Sequence, residues 1–252
     1  MQRAAISLSN LTLGYDRHPA VHHLSAEIDA GSLTAIVGPN GAGKSTLMKA
    51  LSGQLKPLEG KISIAPRMRD RIAYLPQQSA LDKNFPVCVY DFIAMGLWRQ
   101  VGPFGAIGRP QRRTVEDAIA AVGLTGFEQR TIGTLSGGQM QRAMFARLLL
   151  QDAELILLDE PFTSVDARTV NDLVNLVRRW HEQSRTILVI LHDLDAVRST
   201  FPKTLLLARE PVAFGRTADV LRPENLLRAR RMCEAFDDTA SVCLRPEEKA
   251  SQ

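Results

Sequence analysis

Apolar residues recur with a short period at the start of the chain and a longer one later, and the alternation between the two outlines the fold. Ile6, Leu8, Leu11 and Leu13 lie near strict alternation, Gly14-Tyr-Asp16 marks a turn, and Val21 to Ile28 follows, which predicts an antiparallel β layer. Ser32-Leu-Thr-Ala-Ile-Val37 reads as a buried strand, followed by a glycine-rich loop and a helix from Lys44 to about Leu51. Ile62 to Ile64 and Arg71 to Leu75 are further short strands, the second ending at Pro76-Gln77. From Val87 the period is helical through Trp98, a glycine-containing loop covers Gly102 to Gly108, and Thr114 to Val122 is helical again. Residues from roughly 80 to 150 therefore read as a helical insertion. Two apolar runs, Leu155 to Leu158 and Ile187 to Leu191, each end at a polar residue and enclose a helical stretch from Ala167 to Trp180. Strands alternating with helices imply an α/β fold with a parallel sheet, whose binding crevice lies at the carboxyl ends of its strands.

Composition narrows this picture only a little. The chain has 252 residues, 45% of them hydrophobic, enough for a sizeable core. Its net charge of +4 is small and includes no long Lys/Arg block, so it reads as a solvated basic surface rather than a nucleic-acid site. Cys88, Cys233 and Cys243 have neither CxxC spacing nor an even count, which fits a reducing cytosol and gives no zinc or disulfide framework. The first ten residues alternate and soon turn polar, unlike a signal peptide, and no apolar run approaches the roughly 18 residues that cross a bilayer. Any membrane attachment is expected through a partner. The last twenty or so residues are charged and read as peripheral.

Chemistry enters at Gly38-Pro39-Asn40-Gly41-Ala42-Gly43-Lys44-Ser45-Thr46, a phosphate-binding loop in its proper context between strand and helix. Glycines let successive N–H groups and the helix N-terminus surround a β-phosphate. Lys44 would neutralise the β and γ oxygens, Ser45 would offer a hydroxyl to Mg²⁺, and Thr46 is placed for a further phosphate contact. Leu155-Ile-Leu-Leu-Asp159-Glu160 is an apolar strand ending in two carboxylates; Asp159 can hold Mg²⁺ through water, and Glu160 can polarise the attacking water. Leu135-Ser136-Gly137-Gly138-Gln139 opens a helix with a capping box between Ser136 and Gln139, and its glycines expose a second set of first-turn amides.

On these residues the chain resembles the ATP-binding cassette ATPases of membrane transporters, from about Ile6 to about Leu227. The resemblance implies a P-loop nucleotide-hydrolase core with a parallel sheet, an N-terminal antiparallel β layer and the inserted α-helical subdomain. One domain would span residues 1–235, with a charged tail at 236–252. In the family the signature of one protomer completes the ATP site built on the phosphate loop of the other, so Ser136, Gly137, Gly138 and Gln139 would touch the γ-phosphate in trans. Tyr15 corresponds to the aromatic that stacks on adenine, although a lone tyrosine after a strand is more often packing. Gln77 corresponds to the residue that senses Mg²⁺ and the attacking water, and Ser164-Val-Asp166 to a loop that crosses the dimer interface. His192 corresponds to the histidine that contacts the γ-phosphate and orients Glu160.

The segment from Gln77 to Val87, with its Asp82 and Phe85-Pro86, is similar to that of the bacterial zinc and manganese importers. Phe162-Thr-Ser-Val-Asp166, Ala213-Phe-Gly215 and Leu221-Arg-Pro-Glu-Asn-Leu226 point the same way, and siderophore and haem importers share part of the pattern. Cys88-Val89 departs from the family's usual Thr-Val. The implied assembly is an ATPase homodimer on the cytoplasmic face of the bacterial inner membrane. It would drive a permease and, indirectly, an extracytoplasmic metal-binding protein, with no nucleic acid. Phe85, Val87, Phe92 and Trp98 are candidates either for the core of the insertion or for the groove that receives the permease. A soluble cassette ATPase acting on nucleic acid remains as the alternative. His18, His22 and His23 lack acidic or thiol partners at ligand spacing and are not expected to bind metal, nor are Cys233 and Cys243.

Overall fold

The computed structural model describes residues 4–15, 18–77, 85–102, 105–163 and 165–234. The chain forms two units, one from Met1–Ala65 with Leu188–Gln252 and the other from Pro66–Ile187. In the first, β1 (Ala4–Tyr15) pairs antiparallel with β2 (His18–Asp29) on one side and β4 (Glu59–Ile64) on the other. Ile6, Leu8, Leu11 and Leu13 all point into the core despite their imperfect alternation, because the register shifts between Leu8 and Leu11. An extra residue there re-aims the side chains that follow. Asn10 takes a φ of 44°, while its N–H donates to Ser25 Oγ at 2.9 Å and its Oδ1 meets His23 Nδ1 at 2.9 Å. The turn expected at Gly14-Tyr-Asp16 is displaced: β1 runs on to pair Tyr15 with His18, and Asp16 lies outside the described residues. Gly14 permits this, since a Cβ there would sit 2.1 Å from the His18 carbonyl oxygen.

β3 (Leu33–Val37) is buried along its whole length, as an apolar run covered on both faces should be. It pairs parallel with β8 (Lys203–Ala208), which turns through Arg209 into antiparallel β9 (Glu210–Arg216). After β7 (Thr186–Ile190), Leu191 N–H donates to Ile36 of β3. Helix α1 (Lys44–Leu51) follows the loop as expected.

In the second unit α2 (Pro66–Arg69) precedes β5 (Ile72–Leu75), which pairs parallel with β6 (Leu155–Asp159). Arg71 reinforces this edge, bonding Glu154 at 2.6 Å and Asp152 at 2.7 Å. Between these strands the chain is helical. The run expected from Val87 to Trp98 is broken into α3 (Val89–Ala94), a 3₁₀ turn at Met95–Leu97 and α4 (Trp98–Val101). The break falls at Gly96, whose missing side chain lets the backbone approach; a Cβ there would lie 2.4 Å from the Arg147 carbonyl oxygen. α5 (Arg109–Ala121) begins earlier than its apolar pattern, with a proline in its first turn, where the missing N–H costs nothing. α6 (Gly137–Leu150) and α7 (Ala167–Glu182) complete the unit, and Phe145 stacks on Trp180 with ring centres 5.9 Å apart. In the first unit α8 (Leu194–Thr200), α9 (Thr217–Val220) and α10 (Pro223–Glu234) follow. Gln78–Asn84, Ser164, Cys243 and the tail at 236–252 lie outside the described residues.

Candidate nucleotide site

The phosphate loop is shaped by two close backbone approaches. A Cβ on Gly38 (φ 153°) would fall 1.8 Å from the Leu207 carbonyl oxygen of β8, and one on Gly43 (φ 86°) 2.5 Å from that of Ala20 in β2. Glycine is therefore demanded by space as well as by conformation. Gly43 caps α1 without any side-chain bond, and the first turn carries no acid, so the positive end of the helix is left uncompensated by a local carboxylate. Lys44 is almost fully buried, its Nζ donating to the carbonyls of Gly38 at 2.9 Å and Pro39 at 2.7 Å. Tyr15 is 47% exposed beside α1, with Lys49 Nζ 5.7 Å from its ring centre. An exposed ring suits a stacking platform better than a packing role. His192 follows β7 and shares with Val37, Gly38, Pro39 and Leu191 the wall of a cavity of about 190 Å³. Asp193 fixes the position of this turn by capping α8, its Oδ1 accepting from Asp195 N at 2.9 Å.

The second unit carries the other expected groups. Because β5 and β6 are parallel neighbours, the residues beyond their carboxyl ends meet: Gln77 Nε2 donates to Glu160 Oε2 at 3.0 Å. Glu160 has a φ of 49°, a left-handed conformation that strains a non-glycine residue. Asp159 is buried, with the Tyr74 hydroxyl 3.4 Å from its Oδ2. Tyr74 was not marked by the motifs, and Thr163, whose Oγ1 lies 3.3 Å from Glu160 Oε2, was quoted within Phe162-Thr-Ser-Val-Asp166 without a role of its own.

The capping box is present: Gln139 Oε1 accepts from Ser136 N at 3.0 Å and Ser136 Oγ from Gln139 N at 3.3 Å. Gly138 lies against Asp166, 3.6 Å separating its Cβ position from Asp166 Oδ2. Asp166 caps α7 by accepting from Thr169 N at 3.0 Å and Thr169 Oγ1 at 2.7 Å, and Arg142 of α6 donates to the same Thr169 hydroxyl. The Thr169 backbone N–H, then its hydroxyl, hold the Asp166 carboxyl below its ordinary acidity range, with Arg142 adding a smaller pull in the same direction. Arg142 closes the signature segment Leu135-Ser-Gly-Gly-Gln-Met-Gln-Arg142 but Thr169 belongs to no motif, and no spacing rule would have paired them.

Of the four apolar candidates of the insertion, Val87 and Phe92 are core, while Phe85 and Trp98 are 59% and 63% exposed. Cys88 performs a cap's work for α3, its Sγ accepting from Asp91 N, and burial pushes the thiol's pKa up. Among the described residues no three His, Cys, Asp or Glu side chains are grouped to hold a metal, and no helix is long and apolar enough to cross a membrane. Within the second unit, Asp159 at the end of β6 and Gln77 just beyond β5 carry hard oxygen donors of the kind that suits Mg²⁺.

Two capped or bare helix starts, a strand-end carboxylate pair and a loop lysine in this chain order are matched by the family model described as ABC transporter, over residues 21–163. The chain belongs to the ABC transporter ATPase family. The manganese transport system ATP-binding protein MntB of Halalkalibacterium halodurans is 39% identical over 223 residues, covering 87% of this chain and 89% of its own. The zinc transport system ATP-binding protein TroB of Treponema pallidum is also 39% identical, over 229 residues, covering 89% and 86%. A metal-chelate type ABC transporter solved in an inward-facing conformation is 29% identical, with a TM-score of 0.79, covering 91% of this chain and 90% of that one. As an ABC cassette the chain binds and hydrolyses ATP.

Proposed function

We propose that this ABC ATPase energises the import of a divalent metal ion, zinc or manganese, through a membrane permease. The observation that supports its catalytic role is the bond from Gln77 Nε2 to Glu160 Oε2, which joins the residue read as sensing the attacking water to the one read as its base. The cargo follows from the likeness to MntB and TroB along most of the chain. In this reading Gly38, Pro39, Asn40, Gly41, Ala42, Gly43, Lys44, Ser45 and Thr46 cradle the phosphates, and Tyr15 stacks on adenine. Glu160 takes the proton of the attacking water, while Gln77 and His192 orient that water and the γ-phosphate. Ser45, Asp159 and Gln77 would hold Mg²⁺, which supplies charge neutralisation to the transferring phosphoryl group. Two copies close on two ATP molecules, each lending Ser136, Gly137, Gly138, Gln139 and Asp166 to its partner's site.

The assembly works on the cytoplasmic face of the membrane, with exposed Phe85 and Trp98 as apolar anchors for the permease. The extracytoplasmic binding protein engages the permease and not this chain. The likeness to a metal-chelate type transporter favours a chelated metal as the second reading. Metal accumulation in cells with and without the gene, supplied with zinc, manganese, and free or chelated iron in parallel, separates them. Loss of zinc or manganese uptake supports the first reading and loss of chelate uptake alone the second. Unchanged accumulation of all, with recovery of the protein on RNA or DNA, would defeat both.

A further inference from the structure

Asp166 is held more firmly than a helix cap requires. A capping side chain needs one oxygen on the first-turn amides, and Asp193 works this way at α8, its Oδ1 accepting from both Asp195 N and Ala196 N. At α7 both oxygens are engaged, and by one residue: Oδ1 accepts from Thr169 N at 3.0 Å and Oδ2 from Thr169 Oγ1 at 2.7 Å. The first bond completes the cap, and the second fixes the plane of the carboxylate. Asp166 is exposed, whereas Thr169 is buried, with 2% of its surface accessible.

Chemistry fixes the direction of each proton in this arrangement. A guanidinium can only donate, and an ionised carboxylate can only accept. The Thr169 hydroxyl, with its single proton, must therefore receive from Arg142 Nη2 and give to Asp166. It is not turned back on a carbonyl of the preceding turn, as a threonine inside a helix can be. Charge on each side strengthens both bonds. Arg142 is steadied in turn, with Nη1 3.4 Å from the Val122 carbonyl oxygen and Nη2 3.9 Å from Asp172 Oδ2. It stands four residues after Gly138, one turn further along the same face of α6. Gly138 faces Asp166 at Oδ2, the oxygen that the hydroxyl holds. The starts of α6 and α7 are thus joined at two levels, and one hydroxyl belongs to both.

We propose that Thr169 is a positioning residue for ATP hydrolysis: its hydroxyl, bridging Arg142 and Asp166, fixes the Asp166 carboxylate against the helix start at Ser136 to Gln139. The proposal rests on the reading that Asp166 and this helix start are both lent to the partner's ATP site. It adds that the two arrive there as one preset body, so that closure does not have to order the Asp166 side chain.

The test uses the full chain. Thr169→Val removes the hydroxyl while keeping the branched shape and the backbone N–H that caps α7, and Thr169→Ser keeps the hydroxyl. Basal turnover at saturating ATP should fall by about 10-fold in the valine variant and by no more than about 2-fold in the serine variant. Single-chain nucleotide binding and KM should stay within about 2-fold of the parent in both. A purely structural hydroxyl would instead lower the unfolding midpoint and leave turnover per folded molecule unchanged. Because Thr169 acts through Asp166, adding Thr169→Val to Asp166→Ala should cost no further turnover. Thr169→Ala, which favours the helix, carries the same test if the valine variant folds poorly. Parental turnover without the hydroxyl, no rescue by serine, or losses that multiply in the double variant would overturn the proposal. A slow Asp166→Ala beside a normal Thr169→Val would sink this relay and leave the trans-site reading standing. Parental turnover in Asp166→Ala would defeat both.

Discussion

The starts of α1 and α6 both meet phosphate in the proposed reading, yet they are made in opposite ways. At α1 the cap is a left-handed glycine with no side-chain bond, and the loop before it is pressed against the backbones of β2 and β8. At α6 the helix satisfies its own end through Ser136 and Gln139 and leaves Ser136 exposed, with Gly137 and Gly138 half-buried. The first start is fixed by its surroundings and completed by a ligand; the second is stable by itself and offers its glycine amides only when something is brought to it. The difference fits a binding site that must exist before closure and a closing element that must survive without one.

Changes of equal chemistry at the two starts should therefore have unequal results. Gly38→Ala should destabilise the first unit by about 3 kcal/mol or more and abolish nucleotide binding, because the new Cβ collides with the Leu207 carbonyl. Urea unfolding and equilibrium nucleotide binding measure both, and a variant that folds well and still binds ATP would break the contrast. Glu160→Gln should keep ATP binding and slow turnover by about 100-fold or more, accumulating ATP-bound dimers in which both helix starts share a nucleotide. Steady-state hydrolysis with light scattering reads this, and near-native turnover would remove Glu160 from its role.

Gly138→Ala should leave the melting temperature unchanged or slightly higher, since 3.6 Å to Asp166 is ordinary contact and alanine favours a helix. Turnover should nevertheless fall by about 10-fold, measured against unchanged single-chain nucleotide binding, if the glycine serves approach to a partner's ligand. Ser136→Ala should cost about 1 kcal/mol of stability through the lost cap, visible as a shift in the unfolding midpoint. The smallest effect concerns Asp166. Its folded carboxyl is more acidic than in the unfolded chain, so its stabilisation is complete above about pH 4 and is lost as pH falls through the lower folded value. Asp166→Asn should flatten that acid limb of the stability profile; an unchanged limb would mean the Thr169 bonds contribute nothing.

Both helix starts were legible in the sequence because their chemistry is local: glycine spacing, a lysine beside a serine, a serine three residues before a glutamine. β3 and β6 were legible as strand-length apolar runs. The contacts that tie these pieces together were not. Nothing in the spacing of Tyr74 and Asp159, or of Arg142 and Thr169, announces a bond, since parallel pairing or helix packing must first bring them near. The β1 register shift escaped for another reason: Asn10 and Ser25 support it by a side-chain bond across strands, which weakens the alternation without ending the strand. The break at Gly96 depends on the approach of Arg147, far along the chain in α6.

The left-handed backbone at Glu160 sets durability against throughput. Asparagine occupies that conformation with less strain than glutamate, so Glu160→Asn is an accessible route to a chain that resists heat better. It is also a chain without its carboxylate. With Glu160 as the proposed base, a laboratory selection for thermal endurance alone would drift toward that change and return a sturdier protein that no longer turns over, whereas one that alternates heating with a demand for hydrolysis would hold position 160 fixed and find its gains elsewhere.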